Sequence, residues 1–198
     1  MKSILKIAAL ALPLWLALSA PAHAVIVNID AAVTGCQNAG NCDGSPHLQP
    51  GDYVGPLINP VQLTLDAGTY TITNGSNMQG ANPNFTAWRF NGADNWVWAF
   101  EIIDDASKKM LVQGCCGDFV YNTQAGAANQ AFAQNYSSTL TLTATTTLDF
   151  ITEDYYPYDN AGGVALNIES SAAAVPEPST IVLMLAGLGF VGWKRRSR

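Results

Sequence analysis

The chain has 198 residues, nine basic and fifteen acidic, with a formal net charge of −6. That length holds one domain of ordinary size plus processing segments, and the acidic balance excludes nucleic acid, whose binding needs Lys and Arg to neutralise phosphates. Six of the nine basic residues, Lys2, Lys6, Lys194, Arg195, Arg196 and Arg198, lie near the two ends, so the centre keeps only Arg89, Lys108 and Lys109 against all but one of the acids.

At the N-terminus Lys2 and Lys6 precede an apolar run from Ile7 to Ala20, and Ala22-His23-Ala24 is a small-x-small cleavage pattern. The three parts in this order predict a secretory signal peptide over residues 1–24, cleaved after Ala24. Its apolar core is shorter than the about 20 residues a spanning helix needs. An exported domain is therefore expected over residues 25–174, large enough to fold alone.

That domain holds four cysteines, Cys36, Cys42, Cys115 and Cys116. An even number in an oxidising compartment predicts structural disulfides. Cys36 with Cys42 closes a short Gly- and Asn-rich loop, but leaves Cys115 and Cys116 a strained vicinal bridge. The crossed pairings avoid that strain, and the connectivity stays open. Zinc is not expected, because His47 is the only histidine of the domain.

The strand signals follow in chain order. Val61-Gln62-Leu63-Thr64-Leu65 alternates apolar and polar, Asp66-Ala67-Gly68 is a turn, and Thr69 to Thr73 alternates again around Tyr70 and Ile72. Trp96, Trp98, Phe100 and Ile102 fall two apart and share a strand face, with Val97, Ala99, Glu101 and Ile103 on the other. Ala125 to Asn135 has many alanines but no apolar stripe, and is expected to be a loop or a single turn. Ser138 to Ile151 is Thr-rich and alternates through Leu140, Leu142 and Ala144, slipping phase near Thr145–Thr147 before Leu148 and Phe150. Val164, Leu166 and Ile168 mark a last strand. Short strands separated by Gly, Asn and Asp turns, with no repeats, predict an all-β fold: an antiparallel β-sandwich of the jelly-roll kind.

The densest polar stretch runs from Asp149 to Gly163. Calcium takes six to eight hard oxygen ligands, and Asp154, Asp159 and Asn160, with Glu153 beside them, supply such oxygens on one loop. Tyr155, Tyr156 and Tyr158 border it and are expected to line a shallow carbohydrate contact. Trp88 is expected to join them from an exposed segment, whereas Trp96, Trp98 and Phe100 are expected in the core. No catalytic residues are expected. His47 sits in a Pro-rich loop with no nucleophile motif, and the acidic pairs Asp104-Asp105 and Glu153-Asp154 have the look of solvated turns.

The ending has three parts. Val175-Pro176-Glu177-Pro178-Ser179-Thr180 holds two prolines that deny it regular structure. Ile181 to Trp193 is thirteen uncharged residues, about 20 Å as a helix, short of the ~30 Å hydrocarbon core. Lys194 to Arg198 is a basic cluster that stays on the cytoplasmic side. Pro176-Glu177-Pro178, a short apolar transmembrane helix and an Arg-rich end, over residues 175–198, resemble the PEP-CTERM sorting signal of Gram-negative exopolysaccharide-producing bacteria. The resemblance implies processing by an exosortase, a membrane-embedded cysteine transpeptidase, and only a transient hold on the membrane. It implies a destination at the cell surface or in the extracellular matrix.

A second resemblance covers about fifteen residues. Tyr158-Asp159-Asn160-Ala161-Gly162-Gly163-Val164 and the strand beyond are similar to the closing Asp-Asn-x-Gly loop of galactose-binding-like jelly rolls, which include calcium-dependent bacterial lectins. It implies Asp159 and Asn160 as Ca2+ ligands, with Asp154 as a weaker inference, and exopolysaccharide or another glycan as partner. The expectation is thus a non-enzymatic, calcium-stabilised surface or biofilm-matrix protein that binds carbohydrate. The alternatives are a purely structural matrix protein and, behind it, a glycan-processing enzyme.

Overall fold

A computed structural model describes residues 24–37, 48–92, 94–114 and 120–171, all within the compact unit Ala22–Ala172. Residues 1–23 of the expected signal peptide, Cys42, His47, Cys115, Cys116 and the sorting segment lie outside the described residues.

Eight strands carry the architecture: β1 (Ala24–Asp30), β4 (Val61–Leu65), β5 (Gly68–Asn74), β8 (Phe100–Asp104), β9 (Met110–Gly114), β10 (Ser137–Leu142), β11 (Thr146–Ile151) and β12 (Ala161–Ser170). Four shorter ones complete the set: β2 (Gly35–Cys36), β3 (Leu57–Ile58), β6 (Trp88–Arg89) and β7 (Trp96–Val97). All pairings are antiparallel. One sheet runs β1-β12-β5-β10, with β6-β7 continuing it beside the first residues of β12, and the other runs β4-β11-β8-β9. Counting only the eight main strands in chain order, the sheets read 1-8-3-6 and 2-7-4-5. That is the paired Greek-key wiring of a jelly roll.

This wiring sorts the connections by length. The turns 66–67, 105–109 and 143–145 lie at the end where β1 starts and β12 stops, since Ala24 pairs with Glu169 and Tyr70 with Ser170. The connections from β1 to β4, β5 to β8, β9 to β10 and β11 to β12 leave and rejoin the sheets at the other end, and the first of them also runs along the second sheet, where the Val54 N–H donates to the Lys108 carbonyl. The domain thus has a terminal end with tight turns and a loop end with long connections. The ten residues of β12, at about 3.3 Å each, hold the two roughly 30 Å apart.

The core forms where the inner faces meet. Val27, Ile29, Ile72, Leu140, Leu142, Val164, Leu166 and Ile168 of one sheet pack with Phe100, Ile102, Val112, Leu148 and Phe150 of the other. The aromatic run splits, however. Trp96 belongs to β7 in the first sheet and Phe100 to β8 in the second, so the chain changes sheets at Trp98–Ala99. Trp98 is buried at this crossing and packs edge-on against Phe100 and Tyr136, with ring centroids 5.3 and 5.0 Å apart. The Ser138–Ile151 run divides in the same way: its phase slip is the turn between β10 and β11, which lie in opposite sheets.

A second, smaller cluster of Cys36, Val54, Ile103, Met110 and Ile151 lies on the outside of the second sheet, under the segment that leads from β1 to β4. Both faces of β8 are therefore buried. The expectation for Ala125–Asn135 is corrected: Gln124–Ala133 is a ten-residue helix, α1. Thr123 caps it by accepting from the Gly126 N–H, and its buried face is made of Ala127, Ala128 and Ala131. A face of small residues lets a helix pack closely without the large apolar stripe that periodicity looks for.

Candidate functional site at the loop end

The connection from β11 to β12 is pinned to the one that follows β1. Thr152 is fully buried and its hydroxyl donates to the Thr34 carbonyl at 2.9 Å, while the Thr34 hydroxyl donates to the Asp30 carbonyl at 2.8 Å. The Cys36 N–H donates to the Asp154 carbonyl at 2.9 Å. Asp154 closes a small turn, its Oδ1 accepting from the Tyr156 N–H at 2.8 Å. Pro157–Asp159 then forms a single 3-10 turn. The chain enters β12 through Gly162, at φ +88°, and Gly163, where a β-carbon would strike the Ile29 carbonyl and the Phe85 ring. Asp149, grouped with this loop in the sequence, is instead a fully buried residue of β11, bonded by Lys108 Nζ and Gln62 Nε2, each at 2.8 Å.

Of the expected calcium ligands, Asn160 is 8% exposed and spends its amide on the Ala31 carbonyl at 3.3 Å. Its Oδ1, like Asp159 Oδ1, is buried with no hydrogen-bond partner. Neighbouring acceptors left bare in this way suit a hard cation. Asp154 is engaged by the turn. Among the described residues no three His, Cys, Asp or Glu side chains gather into a metal-holding group.

The three tyrosines stand on the surface of this loop: Tyr155, Tyr156 and Tyr158 are 44%, 53% and 70% exposed. The rings of Tyr156 and Tyr158 meet edge-to-face with centroids 5.6 Å apart. Trp88 is not with them, and that expectation is corrected. It is 2% exposed in the core and donates Nε1–H to the Ala99 carbonyl at 2.8 Å. Flanked by Arg89 and loop residues, it had no periodicity to mark it as buried.

The acidic pairs have separate surroundings. Asp104 Oδ1 accepts from the Ala106 and Ser107 N–H groups, and the hydrogen bond and charge of Lys108 hold the Asp105 carboxyl below its usual range. Both lie at the terminal end. Gln113 Nε2 donates to Glu153 Oε1 at 3.1 Å at the loop end. The sequence reading passed over one acid here, Glu101. It is fully buried on the outer face of β8, neither carboxyl oxygen has a partner, and burial, helped by the charge of Glu153, pushes its pKa up to about 8. A lone carboxylate in the middle of the apolar run Trp96–Ile103 was the available signal.

Beyond the sandwich, residues 174–198 match the model of the PEP-CTERM protein-sorting motif. The chain carries a PEP-CTERM sorting motif. A motif of this kind marks an exported protein with a C-terminal membrane-anchoring segment that an exosortase processes, and Pro176, Glu177 and Pro178 lie within the match. Among curated proteins and solved structures nothing matches the chain.

Proposed function

We propose that this PEP-CTERM protein is a non-enzymatic component of the bacterial surface or extracellular matrix, which binds polysaccharide through the 152–160 loop. The observation that carries the reading is the exposed Tyr156–Tyr158 pair at the loop end, about 30 Å along β12 from where the chain continues toward the sorting segment. The tyrosines therefore belong to the end of the sandwich opposite the one where β12 stops. Aromatic faces suit the C–H-bearing sides of sugar rings, and an acidic domain with few cations suits a neutral polymer better than an anionic one. Calcium at Asp159 and Asn160 is part of the reading, supported by their two bare oxygens. A disulfide from the buried Cys36 is another part; it would hold down the segment that packs beneath Asp154.

A glycan array probed with the exported protein, with calcium and with chelator, tests this. The expected result is binding that weakens in chelator and in Asp159→Ala/Asn160→Ala. Binding that ignores both changes removes calcium from the mechanism, and no binding to any extracellular polysaccharide leaves a structural matrix protein. Release of reducing sugar on incubation with the polysaccharide would overturn the non-enzymatic reading.

A further inference from the structure

Glu101 poses a question that the tyrosine loop does not answer. A carboxyl group withdrawn from water is costly unless something compensates it, and a buried charge ordinarily has an ion pair or a metal. Glu101 is 0% exposed and has no hydrogen bond to either oxygen. A proton would remove the charge but leave both oxygens without partners, so protonation alone does not satisfy the group.

Its neighbours identify what is missing. In the sheet, Glu101 lies opposite Gln113 of β9 on one side and Ile151 of β11 on the other. Glu153 follows two residues after Ile151, at the root of the 152–160 loop, and is bound by the Gln113 amide at 3.1 Å. Gln113 therefore touches one carboxylate and stands across the ladder from the other. Because Gln113 gives its Nε2 to Glu153, its Oε1 remains as an oxygen donor on the same side chain. Two carboxylates also feel each other here, since the charge of Glu153 is one of the two causes that raise Glu101.

We propose that Glu101, Glu153 and Gln113 Oε1 hold a divalent cation, calcium by the hardness of its donors, which ties β8 and β9 to the root of the tyrosine-bearing loop. Two carboxylates balance a charge of +2. With both bidentate and the amide added they provide five oxygens, and water or backbone carbonyls complete the six to eight that calcium takes. The ion supplies both what a proton cannot and what the apolar surroundings deny: charge balance and direct contacts for the two bare Glu101 oxygens. Its consequence for sugar binding rests on the loop reading above; the site itself does not.

The test counts calcium bound per chain after equilibrium dialysis, and measures the melting temperature of the exported protein in calcium and in chelator. Both are done in an Asp159→Ala/Asn160→Ala background, which removes the other proposed ligands. That background protein is expected to keep one calcium and to melt several degrees higher in calcium than in chelator, because the ion binds only the folded state. Adding Glu101→Gln or Glu153→Gln is expected to abolish both the ion and the shift. Glu153 is partly exposed, so its variant retains the fold should Glu101→Gln disturb packing. Calcium retained in both variants, or absent from the background protein, overturns the proposal. Loss of calcium through Glu101→Gln alone, with Asp159→Ala/Asn160→Ala indistinguishable from the parent, instead locates the failure in the Asp159–Asn160 site.

Discussion

Replacing Glu101 with Gln alters how stability depends on pH, in a direction set by burial. The unfolded carboxyl titrates near 4.5 and the folded one near 8, so between these values the folded chain holds a proton that the unfolded chain has lost. Stability that is fully present below pH 4.5 is therefore lost progressively as pH rises, and the loss is complete above about pH 8. The slope is about 1.4 kcal/mol per pH unit, so the whole interval corresponds to roughly 5 kcal/mol as an upper bound, and to a few kcal/mol once local relaxation admits water. Glu101→Gln keeps the shape and removes the titration. Urea denaturation in chelator at pH 5, 6, 7 and 8 reads the difference, with all other groups common to both proteins. The variant should match the parent within about 1 kcal/mol at pH 5 and gain steadily on it, being the more stable by a few kcal/mol at pH 8. Parallel curves for the two proteins would refute the reasoning, since they would mean that the Glu101 carboxyl is ionised in the fold at all four pH values.

Three further outcomes follow from the packing and the sorting motif. Phe150→Ala empties the middle of the sandwich, where the ring is fully buried, and is expected to cost about 3–5 kcal/mol in chemical denaturation; a loss below about 1 kcal/mol would mean that the sheets do not meet there. Lys108→Met leaves the buried Asp149 with Gln62 alone and is expected to cost about 1–3 kcal/mol, less than a fully buried pair because Lys108 is partly exposed. Adding Asp149→Asn should recover most of that loss, and no recovery would count against the ion pair. Glu177→Ala is expected to leave the protein in the inner-membrane fraction rather than at the surface, as fractionation and blotting would show; unchanged export would remove the motif from the sorting step.

The fold was largely legible because alternation is a local signal. Val61–Leu65, Thr69–Thr73 and Val164–Ile168 each show it, and each is a strand. What alternation does not carry is the sheet to which a strand belongs. Trp96 through Ile102 keeps one unbroken period of two, yet the chain crosses between sheets inside it, because a jelly roll passes its strands from one layer to the other. Helix α1 was missed for a related reason: Ala127, Ala128 and Ala131 bury little area each, so their pattern is weak although their packing is close. At the site, the position of Tyr155–Asn160 on a surface loop followed from its turn formers. Trp88 and Glu101 did not follow, since the burial of both is decided by partners outside the local pattern: the Ala99 carbonyl for the indole, and β9 and β11 on either side of the carboxyl.

The central claim is that the loop end of an exported sandwich holds polysaccharide through its tyrosines. The most direct measurement is the affinity of the exported protein for purified extracellular polysaccharide of its own bacterium, by titration calorimetry, beside Tyr156→Ala/Tyr158→Ala. These rings are exposed and outside the core, so the double variant should melt with the parent. The account predicts at least a tenfold weaker association for the variant, about 1.4 kcal/mol. Equal affinity in the two proteins would contradict it.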